Sequence, residues 1–588
     1  MTQSLTTWQR AALGLVLTFA GMLSVSARIA AQAVRAAAPA VIEGLVTTQR
    51  GTIPLGGAQV VVRDATDHEV AATLTEGDGR FHIADIGPGK HTVIVTLDGF
   101  DAGRTTTIVS AGATTTLNFD LPIATLTTTV DVVAPPSPVV SSGDTLAGAD
   151  DITNKDTDRL APGGGLQAAL RLLASVIEVP GGVSIKGGRP DQAGTQIGAS
   201  TLADPGIGTA HFNLPDDAID SVAVLPNPYA VEYGRFSSGL VVIRTRRGGD
   251  EWRIRLNNLD PTLRAKRHQD LYTVTGISAF GPRLELGGPI VKDRLFLEQT
   301  AQYRYSASDV PSRPENELMT TQWFSSFSRV DANLSPTHSL VGSVGLFPSS
   351  TKQALLGTFV PPNSTVNLDE RANYGAITER ALWSDRFVGE TTLQVHEYRA
   401  EVMPQGSALM ELWPDTRAGN FYNSQRRTSS TFQWIETLSG SANGPTGLHL
   451  FKIGVDVLHN GYQGWSSSRP ILVKRNDGTL ARRFDFAGPT NDQVQSTDIA
   501  LFAQDRVQPT TRWYVEYGAR LDRDGVLAQW NLTPRIGSAL LLNESGSQVL
   551  RGGLGLFYER TPSAAGAFDR FESSIDSRFA PDGLSLIG

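Results

Sequence analysis

A zinc peptidase needs two or three His/Glu ligands gathered around the metal beside a carboxylate base, and a hydrolase of the nucleophile-elbow type needs an activated serine on a sharp turn. The chain has nine histidines, and their spacing supplies neither. His396-Glu397 has no partner histidine four positions on, where Ala400 stands. His82 and His91 read as lying on neighbouring strands, and paired histidines on a β-surface are bystanders far more often than ligands. No Gly-x-Ser-x-Gly elbow, Walker loop or dinucleotide fingerprint occurs. Cysteine is absent, so disulfides, thiolate ligands and CxxC chemistry are excluded. The residues point to a non-enzymatic protein with no catalytic residues, no metal and no cofactor.

A different pattern does stand out: charge placed directly beside flexible backbone. It occurs in Lys186-Gly187-Gly188-Arg189-Pro190-Asp191-Gln192 and again in Tyr229-Ala230-Val231-Glu232-Tyr233-Gly234-Arg235-Phe236-Ser237-Ser238-Gly239. Glycines at these points allow the chain to turn sharply, and Arg189 and Arg235 follow them at once. Either these arginines brace their own loops, or they dock this unit against a larger wall. Basic residues also gather just downstream, at Arg244, Arg246, Arg247, Arg253, Arg255, Arg264, Lys266 and Arg267. They read as a positive vestibule for an anionic ligand or as the ordinary polarity of a barrel lumen.

The elements that must position these residues follow from length and pattern. At 588 residues and a net charge of -8, the chain is long enough for several domains, and with no basic tail it gives no sign of a nucleic-acid partner. Residues 1–33 have Arg10 before an apolar run from Ala11 to Leu23, then Ala31-Gln32-Ala33. This suits a signal peptide cleaved after Ala31 or Ala33, since the run is short for a bilayer span. Residues 40–122 show short alternating strands separated by Gly77-Asp78-Gly79 and Gly87-Pro88-Gly89, the pattern of a β-sandwich, with Asp-Gly predicting a tight hairpin. Residues 123–149 form a Thr/Pro/Ser-rich linker. Within residues 150–248, Ile219, Val222, Val224 and the run Leu240 to Ile243 predict short strands. The spacing of Leu166, Leu170, Leu173 and Ile177 predicts an amphipathic helix, so this is a small, loop-rich α/β unit. Residues 249–588 carry repeated alternating segments, among them Thr391 to Val395, Phe451 to Val457 and Trp513 to Arg520. No later stretch suits a membrane helix, so any span must be made of strands with one face to lipid and one to a wet lumen.

Taken together, the motifs carry a resemblance. The run from Lys186 to Gln192, then Leu214-Pro215-Asp216-Asp217-Ala218-Ile219, then Tyr229 to Gly239, is similar in order and spacing to the plug domain of TonB-dependent receptors. Leu284 to Leu297 resembles the hairpin joining early barrel strands in that family. Gly77-Asp78-Gly79-Arg80-Phe81, Pro88-Gly89-Lys90-His91 and Leu97-Asp98-Gly99-Phe100 resemble the carboxypeptidase regulatory-like domain, a transthyretin-like sandwich grouped with carbohydrate-binding-like folds. One departure is visible: where related plugs carry Asp-Gly after the Gly-Gly-Arg turn, this chain has Gln196-Ile197-Gly198-Ala199-Ser200.

The resemblance implies a mainly β protein: an N-terminal sandwich, a small α/β plug and an antiparallel transmembrane β-barrel in the cell outer membrane, with sandwich and plug on the periplasmic side. It implies energised uptake of a small solute through the gated barrel, with a TonB-type periplasmic energy transducer as partner and outer-membrane lipid as surroundings. A glycan ligand is the alternative suggested by the sandwich. Thr127-Thr128-Thr129-Val130-Asp131-Val132-Val133-Ala134, ended by Pro135-Pro136, is an extended β-branched run able to add to a partner's sheet edge. It resembles the TonB box, at Thr129, Val130, Asp131, Val132, Val133 and Ala134; otherwise it is an ordinary linker strand. The competing reading of the whole is a non-transporting surface adhesin or carbohydrate-binding protein carried on a barrel. Residues 250–588 are also too few for the family's twenty-two strands. They predict an unclosed sheet with an unpaired final strand and a barrel that is partial within this chain.

Overall fold

The computed structural model describes residues 40–588, apart from 122–149, 154–169 and short breaks elsewhere. The expected signal peptide, the candidate TonB box and Leu166 lie outside the described residues.

The N-terminal unit is a two-sheet sandwich. In one sheet the central strand Ala40–Thr48 pairs antiparallel with Arg80–Ile86 and parallel with Thr114–Thr116 and Phe119–Asp120. In the other, the order is Glu69–Leu74, Gln59–Arg63, Gly89–Thr96, Gly103–Val109. Alternation puts every second side chain inside, where Ile42, Val46, Val60, Val62, Phe81, Val93 and Val95 close the core. Two expectations are corrected. The strands flanking Gly77-Asp78-Gly79 do not form a hairpin, because Glu69–Leu74 and Arg80–Ile86 belong to opposite sheets. For the same reason His82 and His91 are not on neighbouring strands. His91 turns back on its own loop, its Nε2 lying 2.6 Å from the carbonyl of Gly87.

The plug holds a five-stranded sheet in the order Asp150–Thr153, Ile219–Leu225, Leu240–Thr245, Gly194–Ile197, Ser200–Thr201. The predicted helix does not reach Ile177. Val176–Val179 is a strand paired with Gly182–Ile185, and Ile177 is exposed. Two adjacent β-branched residues followed by Pro180-Gly181-Gly182 favour a hairpin over continued helical spacing. Leu170 and Leu173 are nevertheless buried, in a cluster with Ile185, Leu202, Val222, Val224 and Ile243. That cluster is closed by Phe327, Phe347, Tyr374 and Tyr398 from the surrounding wall.

The wall is a 15-stranded sheet running from Arg253–Asn257 to Val549–Gly555. From Leu295–Asp309 onward each long strand pairs antiparallel with the next long strand. Among the described residues Val549–Gly555 pairs only with Trp530–Leu541, and the first and last strands of the sheet are not joined. The hairpin expected at Leu284 to Leu297 is present, as Arg283–Val291 against Leu295–Asp309.

The wall's side chains are inverted relative to a soluble sheet. Along Phe387–Pro404, Leu393 and Val395 are 40% and 46% exposed on the outside, while Gln394 and His396 between and beside them are buried. Phe432 and Trp434 face out around buried Gln433, and Ile453 faces out beside buried Lys452. Apolar groups outside and polar groups inside are stable only if the outside is lipid. Among the described residues no helix is long and apolar enough to cross a membrane; the crossing elements are strands.

The two rims of the wall differ. At one rim the strands are joined by short turns, as between Ser335 and His338 or Ser384 and Phe387. At the other, longer connections build a small sheet of Met410–Leu412, Arg417–Ala418, Ile471–Lys474, Leu480–Ala487 and Ser573–Arg578. The sandwich sits at the short-turn rim, where Leu448 and Leu450 join its core cluster.

Candidate functional site at the plug and barrel wall

The segment Tyr229 to Ser238 lies along the inner wall and is held there by backbone and charge together. The Val231 N–H donates to Gln504 Oε1 at 2.9 Å. Arg535 Nη1 donates to the carbonyls of Ala230 and Tyr233, at 2.8 and 2.7 Å. Such groups would otherwise be orphaned donors and acceptors in a closed interface.

At its centre is a charge network. The Arg235 guanidinium donates to the Asp456 carboxylate and, at 3.1 Å, to the Asp456 carbonyl. Arg520, almost wholly buried, donates to Asp456 Oδ2 at 3.2 Å, to Asp522 at 2.9 Å and to the carbonyl of Glu232 at 2.9 Å. Gln433 Nε2 takes the other Asp456 oxygen at 3.0 Å, and Lys452 Nζ donates to Glu232 Oε2 at 2.7 Å. One barrel carboxylate thus joins a plug arginine to a wall arginine. Burial opposes the charge on Arg235, but the surrounding Asp456, Asp522 and Asp498 outweigh it and hold the guanidinium more firmly protonated than usual.

The backbone explains the glycine. Arg235 itself has φ 68, and a Cβ on Gly234 would collide with the Arg520 guanidinium. Only glycine permits that approach.

The first motif meets the second without sharing its role. Lys186 and Gly187 turn through φ 49 and 81, and Gly188 lies directly on Ser238, leaving no room for a side chain. Arg189 points outward and pairs at 3.3 Å with Asp191 two residues on, so it braces its own turn. Gln192 caps that turn, its Oε1 accepting from the Arg189 N–H at 2.8 Å, and its Nε2 donates to Glu559 Oε1 at 2.6 Å. Ser237 donates to the same carboxylate. The two alternatives for the arginines therefore divide: Arg189 braces its loop, Arg235 docks the plug. Asp191, Glu232, Gly234 and Arg235 together line a small cavity of about 50 Å³, with Gln433, Asp456 and Arg560. The Gln196 to Ser200 turn touches the wall through neighbouring backbone: the Thr201 N–H donates to Gln433, and Gln394 donates to the Thr201 carbonyl.

Among the described residues, five of the basic residues after the plug are engaged by neighbours and not presented as an open positive vestibule. Arg246, Arg253 and Arg255 converge on the buried Glu285, at 2.9, 3.1 and 3.6 Å, and Arg247 stacks on Phe296 at 4.5 Å. Arg264 bonds within its own hairpin to Thr275. Lumen-wall polarity is the better description.

Asp456, Arg520, Arg535, Lys452 and Glu559 did not emerge from sequence reasoning. Their one legible signal is a charge at an inward position of an alternating strand, as in Phe451 to Val457 and Trp513 to Arg520.

Residues 41–122 match the family model described as the carboxypeptidase regulatory-like domain. Over 285 residues the chain is 26% identical to the TonB-dependent transporter Oar of Myxococcus xanthus, covering 44% of this chain and 26% of that protein. Among solved structures, the outer membrane transporter YddB from Escherichia coli superposes with a TM-score of 0.57 at 14% identity, over 73% of this chain and 64% of that one. The chain shares its fold with that transporter. The siderophore receptor PirA from Acinetobacter baumannii gives 0.55 at 13% identity, over 72% and 63%. This chain therefore spans about a quarter of the length of its curated relative and under two thirds of these structural neighbours. All three are described as transporters or receptors.

Proposed function

We propose that this protein is a TonB-energised outer-membrane receptor that binds a scarce solute and admits it by moving the plug, without bond-making chemistry. The observation that carries the reading is the clasp of Arg235, Asp456 and Arg520. It ties the Tyr229 to Ser238 segment of a plug to the lumen side of a wall whose outside is apolar. Buried ion pairs of this kind resist partial removal, because each leaves an uncompensated charge. They can yield together when the segment is pulled as a unit. The sandwich and the short-turn rim face the periplasm in this scheme, and the longer connections face outward, where ligand specificity resides. The Thr129 to Ala134 run is the handle for the transducer, added as a strand to its sheet edge.

The test is deletion of Thr127 to Ala134 in the full chain. The expected result is protein still inserted in the outer membrane, with loss of uptake in a strain grown on a panel of iron chelates, cobalamin, oligosaccharides and peptides. Unchanged uptake on every nutrient that the parent strain uses through this protein would overturn the handle. If removing the whole protein left growth on the panel unchanged, the non-transporting surface reading would replace transport.

A further inference from the structure

The sandwich meets the short-turn rim through two ionisable contacts, and neither takes part in the plug clasp. His82, on Arg80–Ile86, faces two carboxylates that lie close to one another. Its Nε2 lies 2.8 Å from Asp250 Oδ1, on the segment leaving the plug, and its Nδ1 lies 3.9 Å from Glu43 Oε2 on the adjacent sandwich strand. The ring packs edge-on against Phe296 of the wall at 5.6 Å, and Arg247 covers the same Phe296 at 4.5 Å. The same three side chains could gather around a cation; without one, two neighbouring carboxylates are best matched by the protonated ring, the imidazolium.

Three residues further along, Asp85 extends from the sandwich to Asp293, in the turn that opens Leu295–Asp309. Both aspartates have positive φ, 58 and 66, and Asp293 is buried. Burial first, and the neighbouring Asp85 next, push the Asp293 carboxyl above its ordinary range, so the two carboxyls sit side by side more easily while one is neutral. Lys292 and His82 oppose that shift. Arg80 also reaches Asp220 of the plug at 3.7 Å, but it is largely exposed and contributes little.

We propose that the N-terminal sandwich is latched to the short-turn rim by a protonation-dependent clasp, formed by His82 facing Glu43 and Asp250 and by Asp85 against Asp293. Acid closes the clasp and alkali loosens it. Both contacts have the same sign. Burial pulls the His82 ring toward neutrality and Arg247 works in that direction. The facing carboxylates of Asp250 and Glu43 outweigh both, so the folded protein holds the ring above the ordinary histidine value. Its contribution is complete below that ordinary value and is lost as pH rises through the raised one. The Asp85 and Asp293 contact likewise weakens once both carboxyls are charged.

The chain has no cysteine, so two introduced thiols label cleanly. Spin labels at Lys90→Cys in the sandwich and Thr337→Cys in a short turn report the distance across the interface in the full chain. At about pH 5.5 a single narrow distance is expected, and at about pH 8.5, beyond the histidine range, loss of that narrow peak. D250N alters only the segment outside the sandwich and should weaken the narrow peak at acid pH. H82Q combined with D293N should leave a distribution that no longer responds to pH. A parent distribution unchanged between the two pH values overturns the proposal, as does an undiminished pH response in the double variant. A narrow peak abolished by a metal chelator would also overturn it, in favour of a cation held by His82, Glu43 and Asp250.

Discussion

The sandwich and the barrel wall are built from the same sequence pattern, strands that alternate apolar and polar side chains, and they resolve it in opposite directions. In the sandwich, Val60, Val62, Val93 and Val95 turn inward against a second sheet, and residues such as Thr92 and Ile94 between them lie nearer the surface. In the wall, apolar residues such as Leu393, Val395 and Trp434 turn outward, and apart from an aromatic patch against the plug core the interior carries Gln394, Gln433, Lys452, Asp456 and Arg520. A period of two states that a strand has two unlike faces. It does not state which face meets water. In the sandwich the second sheet decides this; in the wall it is decided by lipid outside and a polar plug inside.

The comparison is broken most severely by removing the charge at the centre of the wall's polar interior. D456A strips Arg235 and Arg520 of their shared acceptor, and destabilisation of about 3–5 kcal/mol is expected from stranding buried charge. The check is thermal unfolding of the purified protein in detergent, in which D456A and R520A should fall by similar amounts while the sandwich stays resistant to protease. In the sandwich the equivalent injury is apolar. I42A should cost about 2–5 kcal/mol, the range for a large-to-small change in a tight core, and should expose residues 40–121 to protease without altering the wall's mobility on unheated gels.

Two arginine substitutions sharpen the contrast, because they place the same charge on exposed apolar sites of the two regions. L393R on the outer wall should cost about 2–4 kcal/mol, the range for a charge toward the middle of the lipid face. I108R on the sandwich, where the isoleucine is 77% exposed, should fall within about 0.5 kcal/mol of the parent. Equal effects at the two sites would refute the assignment of Leu393 to lipid. The smallest expected effect is that of R189A. Its ion pair with Asp191 is exposed and worth about 1 kcal/mol at most, so unfolding should barely shift, against a clear loss for R235A in the same assay.

Much of the fold was legible because it depends on short-range signals. The alternation in Gln59–Arg63 and Gly89–Thr96, the Gly-Pro-Gly turn between sandwich strands, and the repeated barrel segments each sit within a few residues, and each became the expected kind of element. The failures also have local causes. At Ile177 the helical spacing of four apolar residues competed with Val176-Ile177 and Pro180-Gly181-Gly182, and the turn residues prevailed. The hairpin expected at Gly77-Asp78-Gly79 does not form, since the strands before and after it belong to different sheets: a turn's chemistry sets the direction of the chain and not the partner of the next strand.

The sequence by itself determined which backbone positions are special and what chemistry is absent. Gly234 beside Arg235, Gly187-Gly188 beside Arg189 and a chain free of cysteine are properties of residues and their immediate neighbours. Only the tertiary structure decided that Arg235 docks while Arg189 does not, that three arginines spend their charge on Glu285, and that His82 faces two acids from different units. Partners such as Asp456 and Arg520 lie more than two hundred residues from the plug segment that they hold. A charge carries no mark of its partner along the chain: pairing is set by distance and burial, and both exist only after the wall has curved around the plug.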